Sequence, residues 1–87
     1  MKMGLYSVRD GAAGAFLPVL SFRSKGEAIR SFSDAVLSAD HQFAKHTRDY
    51  AMFFLGEFDD NSGLIEPVVQ PVPVISGLEV EGENPHR

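Results

Sequence analysis

The chain of 87 residues contains no cysteine and no tryptophan. Without thiols there can be no disulfide and no thiolate metal site. The lack of cysteine also fits a reducing compartment. No run of apolar residues approaches the roughly 18 needed to cross a bilayer as a helix, so no membrane partner is expected. The first residues, Met1-Lys2-Met3-Gly4-Leu5-Tyr6-Ser7-Val8-Arg9, do not read as a secretory leader. Their apolar stretch is broken at Ser7 and Arg9.

Chemical signatures are scarce as well. His41 and His46 lie five apart, off a shared helical face, and neither sits in a His-Glu-x-x-His pattern. With His86 they read as surface histidines, and no metal site is expected. Asp59-Asp60-Asn61-Ser62-Gly63 departs from a calcium loop, because its glycine comes one position early and position twelve is Gln70. Gly11-Ala12-Ala13-Gly14 has the form of a KH clamp but lies between strands rather than helices. No phosphate loop, dinucleotide fingerprint or nucleophile elbow occurs. The reading is therefore non-catalytic, with no catalytic residues and no cofactor.

What is present is enough for one folded domain. Apolar residues make up 44% of the chain and nine residues are aromatic, which supports a core. A stretch with helical periodicity runs from Arg23 to Ser38. Ser24 followed by Glu27 forms a capping box. Ala28, Ile29, Phe32, Ala35 and Val36 make one apolar stripe, with Phe32 at its centre.

Strands are expected on either side. Met3–Val8 alternates, Arg9–Gly14 is a turn, and Ala15–Leu20 returns antiparallel, with Pro18 marking an edge or a bulge. Asp40 is placed to cap a short turn over His41–Lys45, with Phe43 pointing inward. Tyr50–Phe58 is the strongest strand, Asp59–Gly63 a tight turn, and Leu64–Glu66 a short return. Pro67, Pro71 and Pro73 make the next segment extended or edge-like. One more short strand is expected within Val74–Val80, around Ser76-Gly77.

The fold class is thus α+β: a small antiparallel sheet with one main helix packed on one face. Residues 1–66 form the core domain. Residues 67–80 form a Pro/Val-rich extended segment, an added edge strand or a dimer contact. Residues 81–87 form a flexible acidic tail.

The strand Tyr50–Phe58 is apolar on both sides. Tyr50, Met52, Phe54 and Phe58 fall on one face, and Ala51, Phe53 and Leu55 on the other. One helix covers one face, so the second needs a further layer. That layer is the valine-rich tail, a second copy of the chain, or nucleic-acid bases. Met52, Phe54, Phe58, Val72 and Val74 are the candidate contacts of an oligomer, a dimer in the first instance.

Charge is unevenly spread. Net charge is −4. Lys2, Arg9, Arg23, Lys25, Arg30, Lys45 and Arg48 outnumber Asp10, Glu27, Asp34 and Asp40 in residues 1–48, giving +3. Residues 49–87 set Arg87 against eight acids, giving −7. Arg23, Lys25, Arg30, Lys45 and Arg48, with Arg9, are the candidate phosphate contacts, aided by the dipole at the helix start. Tyr6 and Tyr50, where exposed, are candidates for stacking on bases.

Three blocks carry a family resemblance: Leu5-Tyr6-Ser7-Val8-Arg9-Asp10, Gly26-Glu27-Ala28-Ile29-Arg30-Ser31-Phe32-Ser33-Asp34-Ala35, and Leu55-Gly56-Glu57-Phe58-Asp59-Asp60-Asn61-Ser62-Gly63. In order and spacing they resemble the non-structural DNA-binding protein of gokushoviruses, the small single-stranded-DNA bacteriophages within the Microviridae. The resemblance covers about residues 3–66. It implies an accessory role in the host cell cytoplasm, in the switch from double-stranded replication to single-stranded progeny DNA synthesis. The implied partners are DNA, single-stranded in particular, and a phage or host replication protein. No family motif assigns DNA contacts to particular residues. The alternative reading is a non-catalytic interaction module that self-assembles or docks a replication or capsid protein.

Overall fold

The computed structural model describes residues 1–82. The elements run β1 (Lys2–Asp10), β2 (Ala15–Phe16), β3 (Leu20–Phe22), α1 (Lys25–Leu37), α2 (Gln42–Lys45), a 3-10 turn (Thr47–Asp49), β4 (Tyr50–Asp59), β5 (Ile65–Ser76) and α3 (Gly77–Gly82). The strands form one antiparallel sheet in the order β2-β1-β4-β5, and β3 also pairs with β1. The fold is α+β, with α1 as its one long helix. No helix among the described residues is long and apolar enough to cross a membrane.

The core lies between one face of the sheet and the helices. Val8, Met52 and Ile75 stand in register across β1, β4 and β5. Residues directly opposite one another in antiparallel strands share a face. Tyr6 and Tyr50 join them on that face. From the helical side come Ala28, Phe32 and Val36 of α1, Phe43 of α2 and Val80 of α3. The ring of Phe43 bridges the layers, 5.6 Å from Phe32 and 4.4 Å from Tyr50 between centroids. Ile29 and Ala35 flank the α1 stripe and are half-buried.

Helix α1 begins where the capping residues place it. The Glu27 N–H donates to Ser24 Oγ at 3.1 Å. The Glu27 carboxylate accepts from the Arg23 N–H at 3.5 Å, so the return arm of the box reaches one residue further back than the usual pattern.

Four local expectations are corrected. The segment Ala15–Leu20 is broken at Leu17-Pro18-Val19 into the two short strands β2 and β3, because a proline cannot donate to the ladder. His41, not Asp40, caps α2: its Nδ1 accepts the Phe43 N–H at 3.1 Å. The short return expected over Leu64–Glu66 is not a separate strand: it runs on into the edge-like segment from Pro67 as one edge strand, Ile65–Ser76. Finally, the strand expected within Val74–Val80 ends at Ser76, and α3 follows. Ser76 Oγ accepts the Glu79 N–H at 3.1 Å, a second Ser-x-x-Glu start signal. Of the tail expected over 81–87, Glu81 and Gly82 belong to α3, and residues 83–87 lie outside the described residues.

Two irregularities shape β4. Leu5 pairs with Gly56 but Tyr6 pairs with Phe54, so Leu55 is an extra residue on β4. An unmatched residue reverses which side the residues beyond it face. Phe58, opposite Met3, therefore lies on the other face from Tyr50, Met52 and Phe54, contrary to simple alternation. Gly56 carries the distortion with φ 152°, and a Cβ there would collide with the Glu66 carbonyl oxygen. Against the same short stretch of β4, Gly56 pairs with Pro67 and Phe54 with Val72, so residues 68–71 bow outward and leave Val69 fully exposed.

Candidate nucleic-acid interface

The face of the sheet away from the helices is built from the alternate positions. Arg9 on β1 stands opposite Phe16 on β2 and Ala51 on β4, and Ala51 stands opposite Ser76 on β5. The neighbouring row holds Ser7, Phe53 and Pro73. Phe16 and Phe53 meet edge to face, with centroids 5.4 Å apart and planes at 71°. Phe16 is 41% exposed, and Phe53, Arg9 and Ala51 are half-buried. Ser7 is fully buried, and its hydroxyl donates to the Leu17 carbonyl.

A groove of about 220 Å³ opens at one end of this face. Its lining includes Arg9, Arg48, Asp49, Phe53, Ser76 and Leu78. Arg48 belongs to the 3-10 turn and is exposed. Two backbone contacts hold that turn in place. The Gly11 N–H donates to the Asp49 carbonyl at 2.7 Å. Gly77, at the start of α3, packs so closely on Thr47 that a Cβ would collide with the Thr47 carbonyl oxygen. Arg9 and Arg48, 39 positions apart in sequence, are thereby brought to one groove.

Of the carboxylates, Asp49 is in the groove's lining, Asp10 follows the lining residue Arg9, and Glu79 follows the lining residue Leu78. The Asp10 side chain accepts the N–H groups of Ala12 at 3.0 Å and Ala13 at 3.3 Å, so it is engaged by the turn. Burial pushes the Tyr50 hydroxyl above its ordinary pKa, and Asp10 and Asp49 add to the shift. A second group of carboxylates lies at the opposite end of the sheet. Glu57, Asp59 and Glu66 sit beside the β4–β5 turn, paired with or next to Lys2–Gly4 of β1. Nine residues of strand run from Lys2 to Asp10, on the order of 27 Å at the usual rise.

A second groove, of about 230 Å³, lies between the start of α1 and β5. Tyr6, Lys25, Phe54, Val72, Pro73 and Val74 line it. It collects three of the five oligomer candidates, with Lys25 as its one charged lining residue. Met52 is 1% exposed and part of the monomer core, so it is not available to a partner. Phe58 lies on the opposite face, turned there by the bulge at Leu55.

Six of the basic candidates are thus divided. Arg9 and Arg48 share the first groove and Lys25 lines the second. Arg23, Arg30 and Lys45 are exposed and line neither. Among the described residues none of these six forms an ion pair, whereas Lys2 lies 3.8 Å from Glu66. Tyr6 and Tyr50, at 4% and 7% exposure, are core residues, and the exposure that stacking would require is absent. The aromatic pair on the face away from the helices is Phe16, which is exposed, and Phe53, which is half-buried. The only hint of it in the sequence is the spacing of Ala51 and Phe53 on the face opposite Tyr50 and Met52.

A family model described as Phage ORF5 protein matches residues 3–80. The chain belongs to the phage ORF5 protein family. No curated protein and no solved structure matches it. Membership makes it a phage protein and extends over β1 to α3, so both grooves and the Phe16–Phe53 pair lie within the matched residues.

Proposed function

We propose that this phage ORF5 family member is a non-catalytic DNA-binding accessory protein. In this reading it is the gokushovirus type. It acts in the host cell cytoplasm, as a homo-oligomer, in the switch from double-stranded replication to single-stranded progeny DNA synthesis. The supporting observation is the state of its cations: six basic side chains without a carboxylate partner among the described residues, two of them at one groove. Unpaired surface cations are free to replace the counterions that a phosphate backbone condenses. Glu57, Asp59, Asp60 and Glu66 belong to the far end of the sheet, which keeps that part of the chain's acid away from the Arg9–Arg48 groove.

Titration of a labelled single-stranded oligonucleotide at several salt concentrations tests the reading. If all six cations contact phosphate, log affinity should fall against log salt with a slope of about −4. Absent binding at micromolar protein, or binding indifferent to salt, would rule it out.

One observation favours a second reading, an interaction module that self-assembles or docks a replication or capsid protein. β5 is a sheet edge, and Leu64, Ile65 and Val69 on and beside it are 66%, 60% and 105% exposed. Exposed apolar groups along a strand edge are a common docking feature. Because the first reading is also oligomeric, light scattering on the wild type and on Val69→Asp separates the two together with the oligonucleotide titration, in which the second reading expects no affinity. This reading expects the variant to lose an assembly that the wild type forms.

A further inference from the structure

The face of the sheet away from the helices carries an aromatic pair, Phe16 on the edge strand β2 and Phe53 on β4, with Arg9 and Arg48 beside it, neither in an ion pair among the described residues. We propose that this face binds single-stranded DNA by stacking bases on Phe16 and Phe53 while Arg9 and Arg48 hold the adjoining phosphates. The proposal rests on the DNA-binding reading and deepens it by naming the contact surface and the residues that would stack on bases and hold phosphates.

The geometry supplies each part. Phe16, Arg9 and Ala51 form one row across three strands, and Phe53 lies in the next row, 5.4 Å from Phe16 between ring centroids. A ring presented on a sheet offers its π-face to any base, which makes such contacts tolerant of sequence. The arginines lie to one side of the pair, in the groove that Phe53 also lines. A base on Phe53 therefore has a cation available for its own backbone. Pro73 and Ser76 continue the platform on β5 without adding charge.

The same features choose among occupants. A duplex keeps its bases stacked on one another, so it cannot use the phenylalanine rings; unstacked single strands can. A second copy of the chain would meet this patch through its own equivalent in a two-fold contact. That would bring two arginine pairs together, with Asp49 as the one carboxylate in each groove lining. A phosphate backbone answers the excess of cation; another copy of the same patch does not.

The test compares a labelled oligo-dT strand with an abasic phosphodiester strand of equal length. The wild type should bind oligo-dT more tightly than the abasic strand. Phe16→Ala and Phe53→Leu should each weaken oligo-dT binding about tenfold and leave abasic binding unchanged. Arg9→Gln and Arg48→Gln should weaken both. Phe16 stands at an exposed edge, so Phe16→Ala keeps the test valid even if Phe53→Leu impairs folding. Equal wild-type affinity for the two strands overturns stacking and leaves DNA binding standing. Binding to neither overturns both. If Phe16→Ala converts an oligomer to a monomer with oligo-dT affinity intact, a second copy covers this face and the proposal fails.

Discussion

The backbone N–H of Gly11 donates to the carbonyl oxygen of Asp49 at 2.7 Å. This bond ties the end of β1 to the 3-10 turn that carries Arg48. It sets Arg48 beside Arg9 at one groove, although neither arginine is ion-paired with a carboxylate among the described residues. On the other side of the turn, Gly77 closes against Thr47.

Gly77→Ala should therefore disturb the turn rather than α3 itself. Alanine suits a helix better than glycine. Its methyl group would nevertheless run into the Thr47 carbonyl, which belongs to backbone and cannot swing aside. Overpacking of this kind costs about 1–3 kcal/mol. Urea denaturation should show a lower midpoint, and a stabilised variant would show that α3 shifts freely.

Arg48→Gln should leave the fold intact and change the response to salt. The side chain is exposed and forms no ion pair among the described residues, so its loss should alter stability by less than about 0.5 kcal/mol. One phosphate contact fewer should reduce the single-strand salt slope by about 0.7. Anisotropy titrations at three or more salt concentrations measure that difference.

Gly56→Ala should be among the more damaging single changes. Its φ of 152° is rarely adopted by residues with a side chain, and the added Cβ would meet Glu66 and Pro67 of β5. Stability should fall by more than about 1 kcal/mol. The loss should show in amide exchange as weakened protection of the β4–β5 pairing.

Phe32→Ala should cost about 3–5 kcal/mol, enough to unfold a marginal domain of this size. Phe32 is 2% exposed and packs on Phe43. Ser24→Ala, which removes the α1 cap, should cost about 1 kcal/mol. Thermal melts of the two variants should rank them in that order.

The β4–β5 turn should respond to acid. The Asp59 carboxylate is held below its ordinary value near 3.8, mainly by the Asn61 N–H and further by Ser62. A carboxyl depressed in the folded state contributes its stabilisation in full above the unfolded value. That contribution is lost as pH falls through the lower folded value. The wild type should thus lose turn stability below about pH 4, and Asp59→Asn should flatten that part of the profile. Chemical shifts of the Asn61 and Ser62 amides would follow the titration directly.

Much of the frame is written locally. Ser24 and Glu27 mark where α1 begins, and the spacing of Ala28, Phe32 and Val36 shows which side of it is buried. Asp59 to Gly63 spells a tight turn, and the alternation of Tyr50, Met52 and Phe54 identifies the core side of β4. These features depend on bonds and periodicities within a few residues, so a linear reading captures them. The family resemblance was legible in the same way, at the level of a phage protein.

The sequence alone determined α1, the strands β1 and β4, the Asp59–Gly63 turn and the supply of cations. The tertiary structure decided how they combine. A single extra residue at Leu55 reversed the side on which Phe58 falls, and alternation cannot anticipate a bulge. Burial left Tyr6 and Tyr50 without the exposure that stacking requires, while strand pairing set Phe16 beside Phe53 across 37 residues of chain. Arg9 and Arg48 meet because backbone bonds join β1 to a turn that comes after two helices. Such contacts between distant positions depend on how the sheet closes, which no local pattern encodes.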